Sequence, residues 1–153
     1  MLKIQINSIK ILSLSATFTG LLVFAFFAIS IFTLLTSLMG TMTPGEGQEP
    51  IKIEISPKGE TIFTLKAVNS GLLAITTKLN IKLISKDKVV AQGQKAIKLL
   101  PKEKGELKLR LAFTKSQMEE LQETPPKISF SLETRTFFDL AGMGVSAQMG
   151  EDK

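Results

Sequence analysis

The chain lacks four of the side chains that most often carry chemistry or mark membrane interfaces. None of its 153 residues is cysteine, histidine, tryptophan or tyrosine. Without cysteine, neither a disulfide nor a thiolate metal site can form, so a folded domain must rely on its apolar core. Without histidine, there is no imidazole to act as general base, metal ligand or pH switch. We therefore expect no enzymatic activity, no cofactor and no metal site.

Acidic residues are missing from the first part of the chain. No aspartate or glutamate precedes Glu46, and no charge of either sign lies between Lys10 and Glu46. The uncharged run over residues 11–42 exceeds the roughly 20 residues that cross about 30 Å of hydrocarbon. Its phenylalanines are distributed all around a helix, which is typical of a helix in lipid. The sequence predicts a single transmembrane helix over residues 11–39, with membrane lipid as its partner.

A cleaved secretory signal is the alternative explanation of this run. The apolar part of such a signal usually spans only about 7 to 15 residues and ends at a cleavage site of small residues. The run is longer than that, and only the stretch over residues 37–40 resembles a cleavage site. An uncleaved signal anchor is therefore the favoured interpretation.

The charges on either side of the run predict its orientation. Lys3 and Lys10 precede it, whereas Glu46 and Glu49 are the first charges after it. Because lysine and arginine collect on the cytoplasmic side of a membrane helix, residues 1–10 are predicted to be cytoplasmic. The C-terminal domain then lies outside a single-pass protein of the cell membrane.

Small residues in the first half of the predicted helix suggest a contact between helices. Ala16 and Gly20 are spaced i, i+4, which lets two helices approach closely and would support a homo-oligomer. Such pairs also arise by chance in membrane helices, so the alternative is an unpaired helix in lipid.

The pattern of the chain changes after the apolar run. Residues 40–50 collect glycine, proline, threonine and glutamate, which predicts a linker. From Ile51 onward apolar and polar residues alternate with a period of two, the signature of half-buried strands. The clearest examples are residues 75–85 and 107–113, and turn residues separate the strands at intervals of about eight to twelve residues. Thr114 and Gln117 have the form of a capping box, which predicts a short helix between strands.

About seven or eight strands without crossover helices predict an all-β fold. We expect an antiparallel, immunoglobulin-like β-sandwich over residues 51–149, preceded by the transmembrane helix and followed by a tail over residues 150–153. Two of the 19 basic residues, Lys3 and Lys10, belong to the membrane flank, and the others alternate along strands. Phosphate binding requires a concentrated basic patch, so we expect no nucleic-acid partner.

Residues 62–113 resemble a known family. A strand ends in Ala67-Val68-Asn69-Ser70-Gly71, a long alternating strand follows, and Leu99-Leu100-Pro101 introduces a charged turn. This order is similar to that of late-embryogenesis-abundant type 2, or water-stress, domains. The sequence departs from the plant pattern where Ser70 follows Asn69 in place of proline. The resemblance implies an immunoglobulin-like sandwich tethered by one N-terminal membrane helix, without a catalytic motif.

One segment of the predicted domain is unusually apolar. Phe137, Phe138, Leu140 and Met143 lie close together near the last strand. Exposed apolar side chains mark a contact with another protein or with the membrane surface, so these four residues are the candidate partner contact. The alternative is a turn that lines the core.

The remaining motifs do not support catalysis. Gly142 and Gly144 lack the lysine and the strand-to-helix context of a phosphate loop. The carboxylates do not follow the spacing of a calcium loop. The sequence therefore predicts a membrane-tethered module outside the cytoplasm with a binding or structural role. A pilin-like subunit of a filament or surface structure is the second hypothesis, because such subunits also join a hydrophobic N-terminal helix to a β head.

Overall fold

The computed structural model describes residues 2–43, 50–55, 60–123, 126–136 and 139–150. Two helices and seven strands occur in these ranges. In chain order they are α1 (Leu2–Met42), β1 (Ile51–Ile55), β2 (Glu60–Val68), β3 (Ile75–Ser85), β4 (Lys88–Leu99), β5 (Lys104–Ala112), α2 (Lys115–Glu123), β6 (Lys127–Thr136) and β7 (Ala141–Met149).

Helix α1 is longer than the sequence predicted at both ends. It runs from Leu2 to Met42, so the predicted span over residues 11–39 lies inside it. The predicted linker begins too early, because Gly40, Thr41 and Met42 are helical. Packing explains the difference: Thr41 is 1% exposed, and the last turn of the helix lies against the folded domain. Within the described chain, Leu12–Met42 is the stretch long and apolar enough to cross a membrane, a test that a signal sequence also passes.

The strands form two antiparallel sheets. The smaller sheet has the order β1-β2-β5, and the larger has the order β4-β3-β6-β7. The chain changes sheet between β2 and β3, between β4 and β5, and between β5 and β6, where α2 makes the connection. This arrangement confirms the predicted antiparallel, immunoglobulin-like sandwich preceded by one long apolar helix.

Strict alternation of side chains places the core between the two sheets. On β3, the residues at alternate positions from Ile75 to Ser85 are buried, and those between them are half-buried or exposed. On β5, Leu107, Leu109 and Leu111 face the same interior. Phe63 and Leu65 of β2 complete the centre of the core. The period-two pattern of the sequence therefore predicted these strands and their buried faces correctly.

Short turn and capping motifs in the sequence also form the structures expected of them. The β3–β4 hairpin turns at Lys86 and Asp87, whose φ angles of 48° and 62° suit a two-residue turn. The Thr114 backbone N–H donates to Gln117 Oε1 at 2.9 Å, and the Gln117 N–H donates to Thr114 Oγ1 at 3.4 Å. This is the predicted capping box, and it starts α2.

Candidate functional site

The last third of α1 packs into the sandwich along one face. Its buried residues recur every three or four positions, which is one stripe of an α-helix. They are Ser30, Thr33, Leu34, Ser37 and Thr41, each no more than 2% exposed. Leu38 and Met42 also pack against the core. We call residues 30–42 the docked segment.

Hydroxyl groups of the docked segment bond to the open edge of β2. Strand β1 pairs with residues 61–65 of β2, and no strand in the described ranges lies beside the end of β2 on that side. There the Val68 N–H donates to Thr41 Oγ1 at 3.1 Å, and the Thr41 hydroxyl is 3.5 Å from the Val68 carbonyl oxygen. A threonine side chain thus satisfies backbone groups that a neighbouring strand would otherwise bond.

Asn69 is the centre of the junction between helix and sandwich. It is fully buried, and its Oδ1 accepts hydrogen bonds from the Ser37 hydroxyl and the Gly71 N–H, both at 3.0 Å. Its amide nitrogen lies within hydrogen-bonding distance of three carbonyl oxygens, those of Leu73, Leu99 and Leu100, at 2.9, 3.2 and 2.9 Å. Because an amide group has two hydrogens, one of them is shared. One side chain therefore joins α1 to two loops.

A glycine permits the closest approach between helix and loop. A Cβ atom at Gly71 would lie 2.6 Å from the Thr33 Cα, closer than real Cβ atoms come. The neighbouring Leu72 N–H donates to Thr33 Oγ1 at 3.1 Å. The missing side chain lets the loop after β2 lie directly on the helix backbone.

These contacts also give the direction in which α1 leaves the sandwich. As the helix is followed backward from Thr41 to Thr33, its partner moves from Val68 at the end of β2 to Leu72 in the next loop. The helix therefore continues past that loop, away from the sheets. We call this end of the sandwich the helix-exit end.

Three connections lie at the helix-exit end. The strand registers place the β2–β3, β4–β5 and β6–β7 connections together, since Ile75 pairs with both Leu99 and Thr136. Hydrogen bonds join the connections, because Thr136 Oγ1 donates to the Ala74 carbonyl at 2.8 Å and the Lys102 ammonium donates to the Ser70 carbonyl at 2.8 Å.

The part of α1 from Leu12 to Ala28 is exposed on every side, since every residue in it is exposed. The predicted helix–helix contact, Ala16 and Gly20, lies here, and a Cβ at Gly20 would meet no atom within 4 Å. Neither residue contacts the sandwich, so both are free to face lipid or another helix.

The structure describes two of the four residues of the predicted partner contact, and these two differ in exposure. Phe137 and Phe138 lie outside the described residues. Leu140 is 78% exposed in the turn before β7. Met143 is half-buried on β7, where it pairs with buried Thr134 and shares its inward face. Of the described pair, Leu140 alone is a fully accessible apolar side chain.

Two exposed leucines that the sequence analysis did not single out lie at the same end as Leu140. Leu72, in the β2–β3 connection, is 55% exposed, and Leu100, just after β4, is 61% exposed. The available sequence signal was an apolar residue next to a turn residue, because Leu72 follows Ser70-Gly71 and Leu100 precedes Pro101. The strand registers were needed to show that the three turns adjoin.

Charged groups of the sandwich form surface pairs. Glu133 bonds Arg135 at 2.7 Å on the outer face of β6. On β1, Lys52 bonds Glu54 at 2.6 Å, and this contact raises the pKa of Lys52 and lowers the pKa of Glu54. Within the described ranges, no three acidic side chains come together as a metal site would require.

An apolar groove lies beside the last turn of the docked segment. Its volume is about 330 Å³, near the lower limit for small-molecule sites. Met42, Ile53, Phe130 and Met149 line it with five further residues, all of them apolar. Small-molecule sites add a few convergent polar groups that fix orientation, and this lining supplies no polar side chain.

Comparisons with known proteins give similarity of fold alone. No family model and no curated protein matches the chain. A protein from Archaeoglobus fulgidus is 15% identical, with a TM-score of 0.42 over 65% of this chain and 90% of that one. A FixG-related protein from Vibrio parahaemolyticus is 14% identical, with a TM-score of 0.37 over 66% and 95%. A putative β-galactosidase from Bacteroides fragilis is 15% identical, with a TM-score of 0.38 over 66% of this chain but only 15% of that one.

These similarities are too distant to indicate what this chain binds or does. They do not bear on the resemblance to late-embryogenesis-abundant type 2 domains, which stays a prediction.

Proposed function

We propose that the chain is a membrane-anchored module that holds a non-catalytic β-sandwich against the outer surface of the cell membrane. Its role is structural or is the binding of another membrane or surface protein. The observation that supports this proposal is the division of α1 into two parts. An apolar part is exposed on all sides, and a docked segment is built into the sandwich.

The length of the exposed part suits a bilayer. At 1.5 Å per residue, the helix from Lys10 to Ser30 spans about 30 Å, the thickness of a hydrocarbon core. Lys10 then lies just beyond one side of the membrane, and the docked segment starts at the other. Because the docked segment begins where the apolar span ends, the sandwich stands directly on the membrane surface.

The charges before α1 support the orientation. Lys3 and Lys10 favour a cytoplasmic N-terminus, which puts the sandwich outside.

Labelling of single cysteines tests both anchoring and orientation, because the chain has no cysteine of its own. Lys95→Cys places a thiol at an exposed position on β4, and Lys3→Cys is its counterpart before the membrane span. A membrane-impermeant maleimide should label position 95 in intact cells, and position 3 only after lysis. Both proteins should stay in the membrane fraction after alkaline extraction. The reverse labelling pattern, or release by alkali, would refute the proposal.

A pilin-like subunit is the second candidate function. One observation favours it: Ile31, Leu35 and Met39 form an apolar ridge on the outer side of α1 and are 40%, 42% and 64% exposed. Leu35 and Met39 lie beyond the membrane-length part, so another copy of the chain could cover them. Met39→Cys should then form disulfide-linked dimers or larger species under mild oxidation, and purified material should contain fibres. Monomers alone would favour the tethered module.

A further inference from the structure

Every exposed leucine in the described part of the sandwich lies at the helix-exit end. They are Leu72, Leu100 and Leu140, one in each of the three connections there. The other described leucines of the sandwich are buried or half-buried. Ile53, Val89 and Met149 are also exposed, but they lie away from this end, so the three leucines are the apolar set of the helix-exit end. An exposed apolar set of this kind marks a contact surface.

The position of α1 indicates what covers these leucines. The Leu72 N–H is bonded to Thr33, within one turn of the point where the membrane-length part of the helix ends. The helix leaves the sandwich at this end, so the bilayer that receives it faces the same three connections. We propose that Leu72, Leu100 and Leu140 enter the lipid interface around α1 and fix the tilt of the sandwich on the membrane. This inference rests on the proposed membrane anchor.

The first two connections are held in place before they meet lipid. Asn69 bonds the carbonyl groups of Leu73 and Leu100, so the first two connections share one buried side chain. The Glu103 carboxylate accepts a hydrogen bond from the Leu100 N–H at 2.6 Å and fixes that turn. Apolar side chains on connections that are already rigid lose little conformational freedom when they enter lipid, which favours membrane binding.

At the helix-exit end, charge contributes less to membrane binding than apolar contact does. The basic side chains near it are Lys98, Lys102, Lys104 and Arg135, and the acidic ones are Glu103, Glu133 and Asp139. Because the two signs nearly balance, anionic lipid is not required. We therefore expect insertion into vesicles of phosphatidylcholine alone.

Fluorescence quenching from within the bilayer tests the proposal. Single cysteines at positions 72, 100 and 140 of the full chain are labelled with an environment-sensitive dye and reconstituted into phosphatidylcholine vesicles. The quencher is a nitroxide attached near the top of the lipid chain. Each dye should show blue-shifted emission and lose the greater part of its intensity to the quencher.

Val89 gives a matched control. It is 52% exposed and begins the same strand that Leu100 follows, so it lies at the opposite end of the sandwich. A dye at Val89→Cys should remain in water and should not be quenched. A dye at Leu22→Cys, within the exposed part of α1, reports on the anchor itself and should be strongly quenched.

The outcomes separate the two proposals. Quenching at position 22 without quenching at positions 72, 100 and 140 would overturn the lipid contact while the anchor stands. In that case a protein partner is the remaining occupant of the surface. Absence of quenching at position 22 would refute the anchor. Equal quenching at positions 89 and 100 would show that the sandwich has no fixed orientation, which also overturns the proposal.

Discussion

Replacing Asn69 by alanine should lower the free energy of unfolding by about 3 kcal/mol or more. The side chain is fully buried and bonds α1, the β2–β3 connection and the β4–β5 connection at once. Alanine removes the acceptor of the Ser37 hydroxyl and of the Gly71 N–H. It also removes the amide donor to the carbonyl groups of Leu73 and Leu99. Each unsatisfied buried group costs about 1 to 3 kcal/mol. Urea midpoints followed by circular dichroism in a mild detergent measure the loss, since the chain has no tryptophan or tyrosine to report by fluorescence.

Two further variants separate hydrogen bonding from the loss of volume. Asn80→Ala removes the same side chain from a half-buried position on β3 and should cost about 0.5 kcal/mol or less. Asn69→Asp keeps the shape of the side chain but replaces the donating amide nitrogen with a carboxylate oxygen. That oxygen, an acceptor, then faces three carbonyl oxygens. Asn69→Asp should therefore be less stable than Asn69→Ala at neutral pH and should recover partly in acid, where the carboxyl group regains a proton to donate. Equal stability of the Asn69→Ala and Asn80→Ala proteins would exclude Asn69 as the centre of the junction.

Removal of the docked segment should destabilise the sandwich more than any single substitution in it. A fragment that starts at Ile29 keeps every buried residue of the docked segment, whereas a fragment that starts at Gln48 loses all of them. The shorter fragment loses the packing of Leu34 and the bonds to Val68 and Asn69. We expect it to be less stable by about 4 kcal/mol or more, a large fraction of the roughly 5 to 15 kcal/mol that stabilises an ordinary domain. Circular dichroism and urea midpoints of the two fragments measure the difference.

Two adjacent leucines provide a matched control for that experiment in the full chain. Leu34 is 2% exposed and Leu35 is 42% exposed, although they are neighbours on the same helix. Leu34→Ala should cost about 2 to 5 kcal/mol, and Leu35→Ala about 0.5 kcal/mol or less. If the two substitutions cost the same, or if the Gln48 fragment is as stable as the longer one, the docked segment does not support the sandwich.

The sandwich could be predicted because its strands alternate so regularly. In residues 75–85, the apolar and polar positions of the sequence became the inner and outer positions of β3. The turn at Lys86 and Asp87 and the capping box at Thr114 also depend on local sequence alone. Local signals of this kind need no knowledge of the rest of the chain.

The docked segment could not be predicted in the same way. Hydrophobicity is nearly uniform from Ile11 to Met42, so it does not distinguish a part in lipid from a part in a protein core. The available signal was a stripe of hydroxyl residues at helical spacing, Ser30, Thr33, Ser37 and Thr41. Thr33 and Thr41 bond backbone groups, and Ser37 bonds the Asn69 side chain, all more than 25 residues away in the chain. These partners become visible only once the end of β2 and the loop after it are known.

We expect α1 and the sandwich to form one continuous body at the membrane surface. The distance between spin labels at Leu22→Cys in the exposed helix and Lys95→Cys on β4 tests it most directly, measured by pulsed electron paramagnetic resonance in lipid nanodiscs. The distances should follow one narrow distribution, centred on the separation in the structure, and a broader one when Asn69 is replaced by alanine. A broad distribution in the unaltered junction would show that a flexible tether joins α1 to the sandwich, and a single body would then be excluded.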